Sequence, residues 1–597
     1  MGFIDTLSRE VDYVTTLRRT QKWIKGLDPD ASGLLADDWE AICDRFGAKT
    51  AVEFESRSLT YGQFDGLANR FAHWALAQGL VAGDVVALFM GNRPEYLACW
   101  YGLAKVGVVS ALINHNLQGH SLAHCVNVAK ARAVIVDGEL TDLWVTAAEM
   151  VGDVPVWSTG GAGAGRNDLD RALNAQSIKR PPRHHREGLR GKDACLYVYT
   201  SGTTGNPKAA TLTNMRTQGM SRAFIAGTRM TERDKIYVPL PLYHGTGGIC
   251  GVGLAFNTGG TLVLRRKFSA SQFWDDIVDR QCTVFAYIGE LFRYLVAADP
   301  HPKERAHKLK SCFGNGLRAD VWARAEERFA IPRIVEFYGS TEGNVSFINA
   351  EGKLGAVGRV PNYLRKQFNF ELLKFDVETE QPVRGPDGRC IRCEPNEVGE
   401  AVGKIAAGDA RARFDGYAND PEASNRKLLR DVLEEGDLYF RTGDLLRQDE
   451  AGYLYFVDRV GDTYRWKSEN VSTNEVSEAL CMFDGIEQAN VYGVDVPHAD
   501  GRAGMAAVVA PDGVDLAALS AHVRRELPAY AVPVFIRFQT EVEVTGTFKY
   551  RKVELVKEGF DPARIADPMC WMNPATGLYE PLDAAAHAKI LAGETRL

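Results

Sequence analysis

Long apolar runs are missing from this chain of 597 residues, and no stretch reaches the roughly 18 consecutive apolar residues of a membrane-crossing helix. A basic excess is missing too. With 70 Lys and Arg against 77 Asp and Glu, the net charge is −7, which argues against a general nucleic-acid binder. The 11 cysteines are scattered and odd in number, with no secretory signal ahead of them. They imply a reducing, intracellular setting rather than a disulfide framework. Cys390 and Cys393 form one C-x-x-C, but no second Cys/His pair at zinc-like spacing lies nearby, so a structural or incidental role is favoured. Disorder is excluded by 45% hydrophobic and 25% charged residues. The chain is also too long for a single core and is expected to divide into at least two domains.

Apolar, β-prone runs alternate with helical patterns through the first three quarters. Val85–Phe89, Val108–Ile113 and Val134–Asp137 read as buried strands, with a helix over Glu95–Lys105. Ile236–Leu240, Thr261–Leu264 and Thr283–Ile288 read likewise, with Gln272–Arg280 helical. Such alternation predicts largely parallel sheets covered by helices, whose sites gather outside the C-terminal strand ends. Residues 158–193, with GGAGAG and PPRHHR, lack periodicity and read as a long surface loop or connection. His184 and His185 read as solvated. After Arg459 a compact α+β unit begins, with strands at Ala489–Val496, Met505–Val509 and Phe535–Phe538 and a helix over Leu516–Leu527. The fold class is therefore α/β: a large N-terminal domain of mostly parallel sheets, then a small α+β C-terminal domain.

At the N-terminus, Phe3, Ile4, Leu7, Val11, Val14 and Leu17 recur at helical spacing, followed by Arg18, Arg19, Lys22 and Lys25. Two readings fit: an amphipathic, membrane-touching helix, or a helix packed on the domain's own surface, the default for soluble domains. The expected location is cytoplasmic, with peripheral contact at the inner face of the cell membrane under the first reading.

Residues 199–208 read YTSGTTGNPK. A β-prone run, Leu196–Tyr199, feeds into hydroxyls and glycines, and Lys208 closes the loop. Backbone N–H groups, hydroxyls and an ammonium in such a loop suit phosphate oxygens, and Gly202 and Gly205 permit close approach. This is not a Walker A loop. The spacing is G-x-x-G-x-x-K, and Ala209 stands where a Mg-binding hydroxyl would be. In chain order follow PLYHGTGG (241–248), YGSTEGN (338–344), RTGDL (441–445), DRVGDTYRWKSENVSTNEV (458–476) and VTGTFKYRKVELVKEGF (544–560). Together these resemble the adenylate-forming superfamily. WKSENVST, TGTFKYRKVEL and segment 69–125 resemble its fatty acid transport protein-type, long- or very-long-chain acyl-CoA synthetase branch.

That resemblance implies ATP, Mg²⁺ and coenzyme A. It assigns Thr200, Ser201, Gly202, Thr203, Thr204, Gly205 and Lys208 to the β- and γ-phosphates. Tyr338 would lie against adenine, with Phe337 a neighbouring candidate, beside Gly339 and a wall of Gly314, Asn315 and Gly316. Thr341 would bind the α-phosphate, and Glu342 would hold Mg²⁺ together with Thr204. Asp444 would take the ribose hydroxyls, and Arg459 would reach the ribose or phosphate side. His244 would border the acyl pocket. Lys549 would approach the α-phosphate in the first step; Phe548 replaces the usual preceding Gly, and Lys552 competes for the role.

The resemblance also implies domains 1–458 and 463–597, joined by a hinge at 459–462 about which the second swings. Gly461 stands where many relatives carry Asp or Lys, and Ser468 where close relatives often have Gly. The implied activity is a fatty acid–CoA ligase, with no nucleic-acid partner. Two alternatives remain: loading of an acyl-carrier protein, or membrane-associated uptake of fatty acid with coupled activation.

Overall fold

The computed structural model describes residues 3–163, 165–200, 207–406, 412–467, 469–499, 501–542, 552–595 and 597, with side chains from residue 9 onward. The chain falls into two compact units. One comprises Met1–Leu317, Val321–Gly358 and Ile405–Leu428; the other comprises Arg318–Asp320, Arg359–Lys404 and Leu429–Leu597. Residues 459–462 fall within the second.

The first unit is an α/β body with two sheets. One runs Asn167–Asp168, Val156–Ser158, Ala133–Val136, Val85–Phe89, Val109–Leu112, Ala194–Thr200, Lys208–Thr213. Only its last pair is antiparallel. The second runs Ser346–Asn349, Ile334–Gly339, Ser311–Asn315, Val284–Ile288, Lys235–Val238, Thr261–Leu264, Thr50–Phe54, Arg57–Thr60. Its inner pairs are parallel and its two edge strands antiparallel. Val85–Phe89 is buried along its whole length, as the unbroken apolar run requires of a strand covered on both faces. Pro94 opens the covering helix Pro94–Lys105, where its missing N–H is harmless. The fully buried Lys105 is neutralised by Asp65 and hydrogen-bonded to Asn69.

One expectation for this unit changes. Residues 158–193 are not a bare loop. Asp168 caps the helix Leu169–Asn174 by accepting the Arg171 N–H at 2.8 Å, and Leu169 and Leu173 are buried. Arg186, in the PPRHHR stretch, is buried against Asp37, Glu40 and the carbonyl of Lys105. Long-range ion pairing gives this segment its order, which local periodicity does not display. The N-terminal helix Phe3–Ile24 packs against the helices Asn214–Arg222 and Ile225–Thr228. Asp12 pins it to Arg229 at 2.8 Å and Arg333 at 2.7 Å.

The second unit contains an antiparallel sheet that sequence periodicity did not announce, in the order Tyr453–Arg459, Leu438–Gln448, Val398–Lys404, Glu371–Asp376, Gln381–Pro382. Its C-terminal part is a five-stranded sheet of Gln488–Asp495, Arg502–Val509, Phe535–Gln539, Met569–Asn573 and Leu578–Pro581, with the helices Thr473–Cys481, Leu516–Glu526 and Ala584–Leu591. Its last two strands are additions to the sequence reading. Among the described residues, no helix is long and apolar enough to cross a membrane.

Candidate active site

In the first unit, the parallel strands Lys235–Val238, Val284–Ile288, Ser311–Asn315 and Ile334–Gly339 release their loops on one edge of the sheet. PLYHGTGG follows the first of them. His244, half-buried, precedes a π-helical turn over Gly245–Gly251, a geometry common at functional sites. The Gly248 N–H donates to the His244 carbonyl at 2.8 Å. A Cβ on Gly248 would stand 1.9 Å from the Leu242 carbonyl oxygen, so only glycine fits. The Thr246 hydroxyl donates to the Asn315 side chain at 3.1 Å, tying this turn to the Gly314-Asn315-Gly316 segment.

That segment is shaped by close approach. A Cβ on Gly314 would lie 2.1 Å from the Tyr287 carbonyl oxygen, and Gly316 has φ +80°. Beneath it lies the buried carboxyl of Glu336, which accepts the Leu317 N–H at 3.1 Å and the Tyr287 hydroxyl. Burial pushes its pKa up to about 8, opposed by those hydrogen bonds. Further along, the strand's alternation separates the aromatic candidates. Phe337 packs on Phe224 and Phe313, whereas the Tyr338 ring stacks on Phe347 at 5.7 Å. Gly339 pairs with Ser346 on the neighbouring strand.

The loop after Gly339 is clamped from behind. The half-buried Arg216 guanidinium donates to the carbonyls of Ser340 at 3.2 Å, Thr341 at 3.0 Å and Gly343. Burial lowers its pKa, and Asp415 and Glu342 oppose that shift. On the loop, the Glu342 carboxylate accepts the Tyr417 hydroxyl at 2.8 Å. Lys208, register partner of Thr200 across the antiparallel pair, places its ammonium 5.5 Å from the centroid of the Tyr417 ring. Lys208 and Glu342, far apart in sequence, thus meet at one tyrosine, with Thr200 beside Lys208 in the hairpin. Ser201, Gly202, Thr203, Thr204 and Gly205 lie outside the described residues.

In the second unit, RTGDL sits on the strand Leu438–Gln448. The buried Glu400 takes Arg441 on both carboxylate oxygens, at 3.0 and 2.8 Å, and accepts the Gly443 N–H at 3.3 Å. This fixes the turn that carries Asp444. Asp444 and Arg459 are register partners on adjacent strands, with a side-chain separation of 3.7 Å. Lys549 and Ser468 lie outside the described residues. The Lys552 ammonium is held by the Thr473 hydroxyl at 2.8 Å and Asp462 at 3.3 Å. Asp458, buried beside them, accepts the Thr473 N–H at 2.6 Å; burial raises its pKa, and Lys552 is the strongest opposing influence.

Arg216, Glu336, Glu400 and Tyr417 were not reached from the sequence. Each lies outside the signature strings, and only the tertiary contacts expose it. Among the described residues, no group of three or more His, Cys, Asp or Glu gathers as a metal cage.

A sheet with signature loops at its parallel-strand ends, and an acidic turn on a separate antiparallel sheet, define an adenylate-forming enzyme. The chain belongs to the AMP-binding enzyme family: residues 39–400 match that family and residues 475–549 match its C-terminal domain. It is 41% identical to long-chain fatty acid transport protein 6 of Mus musculus over 92% of this chain and 89% of that protein. It is 42% identical to long-chain fatty acid transport protein 3 of Homo sapiens over 87% of this chain and 76% of that protein. Among solved structures, an anthranilate CoA ligase bound to anthranoyl-AMP superposes with a TM-score of 0.75 at 20% identity, covering 89% of this chain and 98% of the other. A benzoate CoA ligase from Burkholderia xenovorans gives 0.72 at 21% identity, covering 88% and 100%.

Proposed function

We propose that this enzyme is a fatty acid–CoA ligase that forms AMP, acting on long or very-long-chain acids. A carboxylate is a poor acyl donor because its leaving group would be oxide. Attack of the carboxylate oxygen on the α-phosphorus of ATP breaks the bond to pyrophosphate and forms an acyl-adenylate. The thiolate of CoA then attacks the acyl carbon, and AMP leaves. The barrier of the first step lies in bringing two anions together, so position and positive charge dominate.

The observation that carries this reading is the meeting of Lys208 and Glu342 at Tyr417, with Thr200 the register partner of Lys208. Lys208 and the hydroxyl-rich loop after Thr200 would hold the β- and γ-phosphates, with Thr341 at the α-phosphate. Mg²⁺ suits the donors present: one carboxylate, Glu342, with Thr204 assigned from resemblance, and no protein cage among the described residues, as for a metal shared with substrate phosphates. When bound, it would offset phosphate charge. Gly314, Asn315, Gly316, Tyr338 and Gly339 would receive adenine, Asp444 and Arg459 the ribose, and His244 the acyl end. Lys549 would offset charge in the first step, a choice supported by the engagement of Lys552 with Thr473 and Asp462. Segment 459–462 would serve as the hinge.

The chain length is proposed from the names of its relatives, both long-chain fatty acid transport proteins. Peripheral membrane contact is proposed for the N-terminal helix, on which Val11 stands 59% exposed. Deleting residues 2–27 should reduce partition to anionic vesicles.

Purified enzyme with Mg-ATP, CoA and acids from short to very long tests the assignment. Acyl-CoA and AMP are expected, with the highest kcat/KM on long chains. Stalling at acyl-AMP in the presence of CoA would point instead to an acyl-carrier protein as acceptor.

A further inference from the structure

Tyr417 lies on no signature string, yet it touches two residues assigned to phosphate and metal. Its phenol donates to Glu342 Oε1 at 2.8 Å, and its ring faces the Lys208 ammonium at 5.5 Å. The backbone explains why it is held so firmly. Tyr417 pairs in an antiparallel bridge with Ala210, the strand residue that follows Lys208 and Ala209. Its N–H donates to the Ser424 hydroxyl at 2.9 Å, and its side chain is buried in a small cluster with Ala210 and Ala423. The tyrosine is therefore a fixed post, standing against one end of the phosphate strand and the carboxylate of the YGSTEGN loop.

We infer that Tyr417 is a positioning residue for the metal–phosphate assembly, setting the Glu342 carboxylate with one oxygen and aligning Lys208 with the other phosphate ligands. This rests on the assignment of Glu342 to Mg²⁺ and of Lys208 to phosphate. Oε1 accepts the phenol, which would leave Oε2 free of that bond for a Mg²⁺ held there. A hydrogen bond to a metal-binding carboxylate orients it, and its loss typically weakens metal affinity by about 10- to 100-fold. The ring makes a separate contribution, a cation–π contact that does not need the hydroxyl.

Two variants divide these roles. Tyr417→Phe keeps the ring and removes the donor; Tyr417→Leu removes both. Isothermal titration of ATP with and without Mg²⁺, together with the Mg²⁺ dependence of acid-dependent pyrophosphate exchange, reads them out. For Tyr417→Phe, the gain in ATP affinity on adding Mg²⁺ should shrink by about tenfold or more, and half-saturating Mg²⁺ should rise correspondingly. AMP binding without metal and thioester formation from supplied acyl-AMP should stay within about twofold of wild type, a split that general damage would not give. Tyr417→Leu should in addition weaken metal-free ATP binding by roughly threefold. The inference is overturned if Tyr417→Phe leaves the Mg²⁺ dependence unchanged, or if both half-reactions fall equally. A wild-type enzyme without exchange activity would overturn the ligase reading and this inference with it; an active wild type with an indifferent Tyr417→Phe overturns this inference alone.

Discussion

The carboxyl of Glu336 and the backbone N–H of Leu317 are joined by a buried hydrogen bond of 3.1 Å, linking one strand's interior to the glycine-lined turn after its neighbour. If that turn receives adenine, Glu336 sets its height. Glu336→Leu, which takes the acceptor from the Leu317 N–H, should raise the KM for ATP roughly fivefold, the worth of about one hydrogen bond, with the KM for the acid unchanged. Initial-rate kinetics in each substrate check the split.

The same residue gives a pH signature. Burial raises the folded-state pKa of Glu336 from the ordinary 4.5 to about 8, so the native state binds its proton more tightly than the unfolded chain. Its contribution to stability is complete below pH 4.5 and is lost as pH rises through about 8. Urea midpoints measured from pH 5 to 8 should therefore fall more steeply for wild type than for Glu336→Gln. Parallel slopes would remove Glu336 as the source.

Arg216 reaches three carbonyls of one loop with one planar guanidinium. Lysine cannot reproduce that fork. Arg216→Lys should lower the adenylation rate while leaving thioester formation from supplied acyl-AMP nearly intact. Arg216→Met should also lower stability by roughly 1–2 kcal/mol, because the half-buried loop carbonyls lose their donor. Half-reaction assays and chemical unfolding separate the two effects.

Lys549 and Lys552 should part company. Lys549→Ala should slow acid-dependent pyrophosphate exchange by about 100-fold or more and largely spare the thioester step. Lys552→Ala releases Thr473 and Asp462 and removes the cation that most strongly opposes the raised pKa of the buried Asp458. It should destabilise the C-terminal part and depress both steps together.

Gly461 has φ +88°, and a Cβ placed there would meet nothing nearer than a Glu380 carboxylate oxygen at 3.8 Å. Space is therefore ample, and backbone conformation alone favours glycine. Gly461→Ala should cost about 1 kcal/mol of stability, measured by chemical unfolding. If 459–462 is the hinge, it should also slow thioester formation more than adenylation.

Much of the first unit was legible because its strands are continuous apolar runs: Val85–Phe89 and Thr261–Leu264 stand where the sequence puts them. The antiparallel sheet around Leu438–Gln448 was not, because its strands mix glycine and charge, as in Val398–Lys404, and are made by cross-strand pairing. The candidate site divides in the same way. Lys208, Thr341, Glu342 and Asp444 announce themselves through short strings whose spacing is local. Tyr417, Arg216 and Glu336 act through partners 75, 125 and 19 residues away, and no local pattern encodes such distances.

The most direct measurement uses ATP labelled at the α-phosphorus, with CoA and a long-chain acid. The label should appear in AMP, in step with acyl-CoA, and pyrophosphate should exchange into ATP only when the acid is present. Release of labelled ADP, or thioester formed without AMP, would contradict the account.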